Sequence, residues 1–465
     1  METYKQREMN AKADLNLVVK KFEKKASNVQ KKMTSAPSRP VRHNVIKKMI
    51  GDIKRFVDDP KMNLLSRRKK LKAHYKKVML KWYIPIFWKE PRLETIICRN
   101  KELVLSCFTE YSLPCWSLNK NDDERLNDLK YVIEFCGYNL TSLNVDKHPF
   151  STVMPLINNN CPGLKELVVE FKEIKDEDFE NVFSNMPKLE KLEVTWKCKN
   201  SALPMTLVKS LEQVGGTLKQ LYLSCRSEDE VFLPDSLASV FTRFIALERL
   251  YVNGFQLSQP IIQSIGEIKN LTSFKLLPLR DHPMINKKIS MSPIGNLINL
   301  ESLDICWDCG DADELLINLG DNAKQLQKLD MLVTNLTDNG MIAVKKMSQL
   351  RWLTLGKRLD TLKKTNNFIT DKSIECLFNE KLRYLNLSNC TEISNRSVIK
   401  AFENLPDLSC LCVKNTNVTI KVVEELSKLT KLRKQKLHVY VSFKDCNGIF
   451  KSLIESHNVE LISTE

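Results

Sequence analysis

The residues with the clearest chemical potential in this sequence are its cysteines, and two of them have the spacing of a metal or redox motif. Cys306 and Cys309 form a C-x-x-C pair in the segment DICWDCGD. Such a pair holds zinc or exchanges disulfides when a second pair or a thioredoxin-like βαβ unit accompanies it. No second pair follows, and Cys410 and Cys412 lie at regular positions of a leucine pattern. We therefore predict no metal and no cofactor.

Catalytic signatures are also missing from the sequence. The six histidines are scattered without metal-ligand spacing. The chain has no G-x-S-x-G, no phosphate-binding P-loop and no G-x-G-x-x-G. Acidic pairs such as Asp176–Glu177 lie where helices are expected to begin, and there a carboxylate interacts favourably with the helix dipole. We predict that the protein is not an enzyme.

A leucine pattern recurs along most of the chain and must position any binding residues. The frame is L-x-x-L-x-L, with successive starts 24 to 32 residues apart. Its first positions are Leu140, Leu164, Leu189, Leu218, Leu247, Leu271, Leu300, Leu326, Leu350, Leu382, Leu408 and Leu432. Only Gln435 breaks the apolar pattern. Repeats of this period and signature predict one short strand each, with three anchors that enter a common core.

Helical stretches with start signals separate the frames. The predicted N-caps are Thr337 or Asp338 in NLTDNGMIAV, Thr370 or Asp371 in FITDKSIECLF, and Ser258 followed by Pro260 in QLSQPIIQSI. These residue types cap or begin helices. Upstream, DDERLNDLKYVIEFCG predicts a helix with Leu126, Leu129, Val132, Ile133 and Cys136 on one face.

The segments LRYLNLSNCTEISNRSVI and LTDNGMIAV resemble the cysteine-containing leucine-rich repeats. That subfamily is typical of the substrate-binding halves of F-box proteins and of ribonuclease-inhibitor-like solenoids. Cys390 has the signature position, where other repeats carry Lys172, Arg226, Asp308 or Thr416. The resemblance covers residues 140–465. It implies an α/β solenoid, curved, with about twelve strand–helix repeats, that binds a protein on its concave face.

Frame positions three and five are expected to face solvent on the concave side. Aromatic residues and arginine are the types enriched at interaction hot spots. The predicted ligand face is Tyr222, Arg249, Tyr251, Asp304, Asp330, Trp352 and Tyr384. At the C-terminal end the same positions predict Lys434 and Lys436. The longest repeat carries a basic insertion, GKRLDTLKKTNNF. This insertion either forms a loop that contacts a ligand or is a length variation without a binding role.

The N-terminal region differs from the neutral body in charge. Residues 1–90 contain 25 Lys+Arg and 8 Asp+Glu, whereas the remaining residues contain 47 and 48. We divide the chain into a basic, partly disordered or helical arm at 1–40, an α-helical region at 41–90, an N-terminal cap at 91–139, and repeats with a C-terminal cap at 140–465. Within that last cap, NGIFKSLIESH predicts a helix between the strands LHVYVSF and NVELIST.

The helices of residues 41–90 lie where an F-box precedes a repeat array, and VMLKWYIPIFWKEP is similar to the tryptophan-bearing end of that motif. A degenerate F-box would bind the adaptor of a cullin ligase through Ile46, Ile50, Ile53, Val78 and Trp82. The alternative is a basic helical extension packed on the first repeats.

A basic patch lies in the same region. It comprises Arg67, Arg68, Lys69, Lys70 and Lys72. It is consistent with a nuclear-import signal, with weak non-specific contact to nucleic acid, or with a solvated helix face. The sequence shows no membrane span, and its cysteines indicate reduced thiols in the cytoplasm or nucleus. We therefore predict that the protein is the substrate-recognition subunit of a cullin-type ubiquitin ligase. The alternative is a free-standing interaction scaffold with a basic arm.

Overall fold

The structure of the protein is a computed structural model. It describes residues 109–112, 122–171, 179–197, 205–226, 231–277, 284–285, 289–308, 310–331, 334–356, 365–429, 436–443, 455–456 and 459–463. The described residues fall into two compact units, divided as residues 1–169 with 185–188 and residues 170–184 with 189–465. The predictions for the arm, the 41–90 region and the start of the cap lie outside the described residues.

In its described residues, the first unit contains three parallel strands and two α-helices. Its elements are β1 (Glu110–Ser112), α1 (Asp122–Cys136), a 3-10 helix (Gly137–Asn139), β2 (Ser142–Asn144), α2 (Phe150–Asn160) and β3 (Glu166–Phe171), whose last two residues belong to the second unit. β1 pairs with β2, and β2 pairs with β3. Helix α1 confirms the predicted helix and buries Leu129, Val132, Ile133 and Cys136. The sequence pattern missed β1, in which Tyr111 is buried and aligned with Leu143.

The main sheet of the second unit contains one strand from each repeat. Its strands, in sheet order, are β4 (Lys191–Trp196), β5 (Gln220–Cys225), β7 (Arg249–Asn253), β9 (Ser273–Leu277), β11 (Ser302–Ile305), β13 (Lys328–Met331), β14 (Trp352–Thr354), β16 (Tyr384–Asn386), β18 (Cys410–Val413), β19 (Leu437–Val441), β21 (Val459–Ser463) and β20 (Glu455–Ser456). Described neighbours pair in parallel up to β21, and β20 pairs antiparallel to it. Residues 455–456 were predicted as the end of a helix, and this prediction is wrong.

The connections of the second unit contain short helices and two-stranded sheets. The helices are α3 (Met205–Gln213), α4 (Leu237–Phe241), α5 (Gln259–Gly266), α6 (Ala312–Asn322), α7 (Asp338–Ala343), α8 (Asp371–Glu375), α9 (Asn395–Asn404), α10 (Val422–Leu429) and the 3-10 helices Ser292–Asn296 and Val344–Lys346. The small sheets pair β6 (Val231–Phe232) with β8 (Phe255–Gln256), β10 (Met284–Ile285) with β12 (Trp307–Asp308), and β15 (Asn366–Thr370) with β17 (Cys390–Glu392).

The leucine frame sets the register of the main sheet. Its second anchors align from strand to strand and are all buried: Leu192, Leu221, Leu250, Phe274, Leu303, Leu329, Leu353, Leu385 and Leu411. Side chains alternate across a strand, so these anchors place one face of the sheet in the core. A slip of one residue would expose the whole row, which explains why the register follows the leucines.

The last frame of the sequence analysis is wrong. Strand β19 aligns Val439 with Leu411 and Val441 with Val413, so the repeat is anchored four residues later than predicted. Leu437, Val439 and Val441 are all buried there. The frame that begins at Leu432 would instead have placed Gln435 in the core, where an amide is costly without a partner. As a result, His438 and Tyr440 take the outward positions assigned to Lys434 and Lys436.

At the predicted helix starts, the two candidate N-cap residues have different roles. The hydroxyls of Thr337, Thr370 and Ser394 accept hydrogen bonds from the backbone N–H two residues later, so these residues are the N-caps. Ser258 lies at the N-cap of α5 with Pro260 in the first turn, as predicted, but its hydroxyl donates to Asp235 rather than capping the helix. The aspartate that directly follows the threonine N-cap instead accepts hydrogen bonds from the N-cap residue of the next repeat.

These aspartates form a row that we call the cap ladder, made of Asp313, Asp338, Asp371 and the equivalent Asn395. Asp338 accepts from the backbone N–H of Thr370 at 2.8 Å and from its hydroxyl at 2.7 Å. Asp313 does the same for Thr337, and Asp371 for Ser394. The ladder therefore ties each helix start to the next.

The turns after the strands use side-chain amides to satisfy backbone groups. Asn389 and Asn415 have φ values of 65° and 53°, a left-handed conformation that asparagine tolerates. Asn389 donates to the carbonyl oxygen of Gly356, and Asn415 donates to the side chain of Asn389. We call Asn389 and Asn415 the turn row. Cys390 directly follows Asn389 and is buried, and in the next repeat Thr416 directly follows Asn415 and is also buried. Strand register, buried anchors and this turn together make the repeats leucine-rich repeats.

Candidate functional site

The main sheet has a face opposite the core, which we call the outward face. It carries frame positions three and five, and in β5 these residues are half-buried while their neighbours are buried. A parallel sheet displays such side chains on a rigid backbone at a strand spacing of about 4.8 Å. The outward face is therefore the surface on which this fold can arrange side chains for contact.

All seven residues of the predicted ligand face lie on the outward face of the second unit. Arg249, Trp352 and Tyr384 occupy position three, and Tyr222, Tyr251, Asp304 and Asp330 occupy position five. Six of them form pairs in register on adjacent strands, Tyr222 with Tyr251, Asp304 with Asp330 and Trp352 with Tyr384. Arg249 is exposed in the same strand as Tyr251.

The first pair belongs to a tyrosine cluster, defined as Lys191, Tyr222, Tyr251 and Lys275. The two rings have centroids 5.8 Å apart and are tilted by 39°. The ammonium of Lys191 lies 5.4 Å from the Tyr222 ring centroid, and that of Lys275 lies 5.7 Å from the Tyr251 centroid. Each ring thus has a cation near its face and the other tyrosine ring as a neighbour, and the cation–π contacts are favourable.

The second aromatic pair belongs to a tryptophan cluster, defined as Lys328, Trp352 and Tyr384. The two ring centroids are 3.6 Å apart and the planes are parallel within 5°. Lys328 places its ammonium 5.7 Å from the Trp352 centroid. Because β14 and β16 are neighbours, the stack runs across the strands, with Lys328 on one side and Cys410, in register with Tyr384, on the other.

Small polar residues form the floor of the tryptophan cluster. Thr354, Asn386 and Cys412 are buried although they lie on the outward face. The indole N–H donates to the Thr354 hydroxyl at 2.8 Å, and the Tyr384 hydroxyl lies 3.6 Å from the Cys412 sulfur. Burial and the contact with Cys412 raise the pKa of Tyr384 well above its usual value.

A polar strip separates the two aromatic clusters. Asp304 is buried and forms an ion pair with Lys275 at 3.2 Å, and Asp330 is its half-buried neighbour in register. Four strand steps separate Tyr251 in β7 from Trp352 in β14, which corresponds to about 19 Å. The outward face therefore offers two aromatic anchors with carboxylates between them.

The C-terminal end of the outward face is an ion-paired group rather than the predicted lysine pair. Glu460 is 2.7 Å from the Lys436 ammonium and 3.1 Å from His438 Nδ1. The hydrogen bond from Lys436 holds the pKa of Glu460 below its usual value. Lys434 lies outside the described residues, as do Lys357, Arg358, Lys363 and Lys364 of the basic insertion.

The described cysteines are thiols without a ligand-holding arrangement. Cys306 is buried directly after β11, whereas Cys309 lies outside the described residues. Cys410 and Cys412 point outward as predicted, but Cys412 is buried beneath Tyr384. Within the described ranges no group of three or more His, Cys, Asp or Glu side chains is placed to hold a metal. The same ranges contain no helix long and apolar enough to cross a bilayer.

Two predicted surfaces lie wholly outside the described residues. They are the adaptor-binding face of Ile46, Ile50, Ile53, Val78 and Trp82, and the basic patch of Arg67, Arg68, Lys69, Lys70 and Lys72. Both stay predictions.

Comparison with known proteins gives a limited likeness. A scan against protein-family models and a search of curated proteins found no match. Among solved structures, an internalin from Listeria monocytogenes is similar, with 18% identity, coverage of 67% of this chain and 77% of that chain, and a TM-score of 0.43. The mouse RP105/MD-1 complex shows 14% identity, 72% and 47% coverage and a TM-score of 0.40. The yeast complex of Rad7 and Elc1 shows 17% identity, coverage of 83% of this chain and 96% of that chain, and a TM-score of 0.38.

Several residues of the site were missed by the sequence analysis. Lys191 and Lys275 cover the tyrosine rings, and the frame positions could have identified them because they occupy positions three and five of their repeats. Arg351 and Arg383 directly precede Trp352 and Tyr384 at frame position two, which was not among the predicted outward positions. Thr354 and Asn386 could have been recognised as small residues beside large rings.

Proposed function

We propose that this protein is a non-catalytic scaffold that binds another protein on the outward face of its repeat sheet. The observation that carries the proposal is the pair of aromatic–cation clusters, the tyrosine cluster and the tryptophan cluster, on one rigid surface. Tyrosine, tryptophan and arginine supply most of the binding energy at protein interfaces. Side chains held on a rigid scaffold lose little conformational freedom on binding, which favours such a surface as an interface.

The test of this proposal is binding of copurifying proteins by the full chain and by single-ring variants. We expect Trp352→Ala and Tyr251→Ala each to lose the same copurifying protein. Phe378→Ala is the matched control, because Phe378 is 63% exposed in the connection between α8 and β16, outside the main strands. Equal loss in the control, or full retention in both variants, would contradict binding at the outward face.

In its more specific form the proposal makes the chain the substrate-recognition subunit of a cullin-type ubiquitin ligase. Its support is the resemblance of residues 41–90 to a degenerate F-box and the position of that segment ahead of the repeats. The outward face would then hold the substrate, and the 41–90 region would hold the adaptor.

This form is tested by mixing the purified full chain with the purified cullin adaptor. We expect a complex with the wild type and its loss in Ile53→Asp and in Trp82→Ala, while Trp352→Ala still binds the adaptor. Absence of a complex with the folded wild type would remove the ligase role and leave the scaffold.

The alternative is a free-standing scaffold whose basic N-terminal region attaches it to nucleic acid or directs nuclear import. Its support is the concentration of charge, 25 Lys+Arg against 8 Asp+Glu, in residues 1–90. We expect such attachment to weaken linearly in a plot of log affinity against log salt, with a slope near −0.7 to −0.9 per phosphate contacted. Replacing Arg67, Arg68 and Lys69 by alanine should then lower the slope by about two to three.

A further inference from the structure

Two arginines lie on adjacent strands at the start of β14 and β16, and neither has an acidic partner among the described residues. Arg351 and Arg383 are both exposed, and the backbone N–H of Arg383 donates to the carbonyl oxygen of Arg351 at 2.9 Å. Neither guanidinium forms an ion pair with any carboxylate in the described part of the chain. The two positive charges are therefore held on adjacent strands with nothing described to neutralise them.

The same frame position is treated differently elsewhere in the sheet. Glu190 and Lys219 occupy position two on the neighbouring strands β4 and β5, and their side chains form an ion pair at 3.3 Å. Opposite charges at neighbouring positions stabilise a sheet, whereas like charges directly opposite each other destabilise it. The arginine pair thus costs stability that the fold avoids at the equivalent site, and such local conflicts are expected where residues serve a function.

A third cation adjoins the arginines. Lys328 is exposed at position three of β13 and lies over the free side of the Trp352 ring. It forms no ion pair among the described residues, since its neighbouring carboxylate, Asp330, lies two residues further along the strand at the level of Thr354. One end of the tryptophan cluster is therefore cationic, and the other end carries a carboxylate.

We infer that the tryptophan cluster with Arg351 and Arg383 binds an acidic segment of a protein partner. Carboxylates of that segment would pair with the two guanidinium groups and with Lys328, and an adjacent apolar side chain would contact the half-buried rings of Trp352 and Tyr384. Guanidinium groups form bidentate hydrogen bonds with carboxylates, which gives such a site direction as well as charge. The inference rests on the proposed scaffold function and names the chemistry of its ligand.

A peptide fits this site better than single-stranded nucleic acid. Proteins hold single strands by stacking bases on free aromatic faces. Here the inner faces of Trp352 and Tyr384 are stacked on each other, and the outer face of Trp352 is covered by Lys328. The rings of the tyrosine cluster are covered in the same way. Three of the four ring faces of the tryptophan cluster are thus in contact with another side chain, which leaves little free aromatic face for a base.

The experiment measures fluorescence anisotropy of a labelled acidic peptide, EELEEL, with the full chain. Arg351→Ala/Arg383→Ala is compared with Lys345→Ala/Lys421→Ala, which removes two exposed cations from the connections. The basic N-terminal region attracts the probe equally in all proteins, so only the difference between variants reports the site. We expect the arginine variant to bind about fivefold or more weakly than wild type, because it loses two charge pairs with the peptide. The lysine control should bind like wild type.

Three results would overturn the inference. The first is equal affinity of the arginine variant and the lysine control for EELEEL. The second is equal binding of the basic peptide KKLKKL to wild type. The third is tighter binding of a six-residue oligothymidylate that depends on Arg351 and Arg383, which would assign the site to nucleic acid. If the acidic probe fails but Trp352→Ala still loses a copurifying protein, the scaffold function stands and only its ligand chemistry is wrong.

Discussion

Trp352 lies ring against ring with Tyr384 across two adjacent strands, with centroids 3.6 Å apart and planes parallel within 5°. This contact joins two repeats separated by the longest spacing in the array, 32 residues from Leu350 to Leu382. The strands nevertheless pair in register, so the longer spacing does not interrupt the pairing of β14 with β16. The stack is therefore both a packing contact between repeats and the centre of the proposed binding surface.

The first prediction concerns the coupling within this stack. In a double-mutant cycle of Trp352→Ala and Tyr384→Ala, we expect a coupling free energy of about 0.5–1.5 kcal/mol, as measured for aromatic pairs. The same cycle for Tyr222 and Tyr251 should give a value in this range too, because their tilted rings, 5.8 Å apart, have a favourable aromatic geometry. Urea denaturation of the wild type, the four single variants and the two double variants provides the measurement. A coupling of zero for Trp352 and Tyr384 would mean that the rings do not stack in solution.

The repeat frame made most of the main sheet predictable. An L-x-x-L-x-L frame with a regular period leaves only one way to bury all anchors at once, and the strands follow it from Leu192 to Leu411. The last repeat failed because LRKQKLHVYV offers two overlapping apolar patterns. Counting leucines favours the start at Leu432, whereas strand pairing favours the alternating Leu437, Val439 and Val441.

The candidate site was predictable in its members but not in its contacts. Frame positions placed Tyr222, Tyr251, Trp352 and Tyr384 on the outward face, because alternation along a strand fixes the side on which a residue lies. Which rings would stack depends on how side chains lean over their neighbours. Trp352 leans over Thr354 because Thr354 is small and can accept its N–H, a relation that no single-strand pattern contains.

The second prediction concerns the cap ladder and its pH dependence. Burial opposes ionisation of Asp338, but hydrogen bonds from Ser373 and Thr370 outweigh it and hold the carboxyl pKa below its usual value. A lowered folded-state pKa stabilises the fold above the unfolded-state value of about 3.9, and this contribution is lost as pH falls through the folded-state pKa. The unfolding free energy of wild type should therefore drop more steeply below about pH 4 than that of Asp338→Asn.

At neutral pH, Asp338→Ala should lower the free energy of unfolding by about 2–4 kcal/mol, because it leaves the hydroxyls of Thr370 and Ser373 and one backbone N–H without their acceptor. Thermal or urea unfolding measures this change. Asp407→Ala serves as control, since Asp407 lies in the connection before β18 and takes no part in the ladder. Equal effects of the two substitutions would contradict a role of the ladder in stability.

The third prediction compares two glycines. A Cβ on Gly356 would overlap the backbone carbonyl of Ser388, whereas a Cβ on Gly216 would meet nothing within 4 Å. Gly356 is buried at the end of β14, where the turn row of Asn389 and Asn415 passes, and backbone atoms there have little room to move. We expect Gly356→Ala to lower the unfolding free energy by about 2–4 kcal/mol and Gly216→Ala to change it by less than about 1 kcal/mol. Similar midpoints for both variants in urea would show that the close approach at Gly356 is not present in solution.

The fourth prediction separates two cysteines by their reactivity. Cys390 is fully buried, and burial raises the pKa of its thiol to about 12, so almost no thiolate is present near neutral pH. Cys376 is exposed at the end of α8. Brief treatment of the native protein with N-ethylmaleimide should therefore label Cys376 and leave Cys390 unmodified, and denaturant should make Cys390 reactive. Mass spectrometry of the peptides measures both, and Cys376→Ser identifies the first label. Labelling of Cys390 in the native state as fast as that of Cys376 would show that the turn row at Asn389 opens, in conflict with the packed repeat described above.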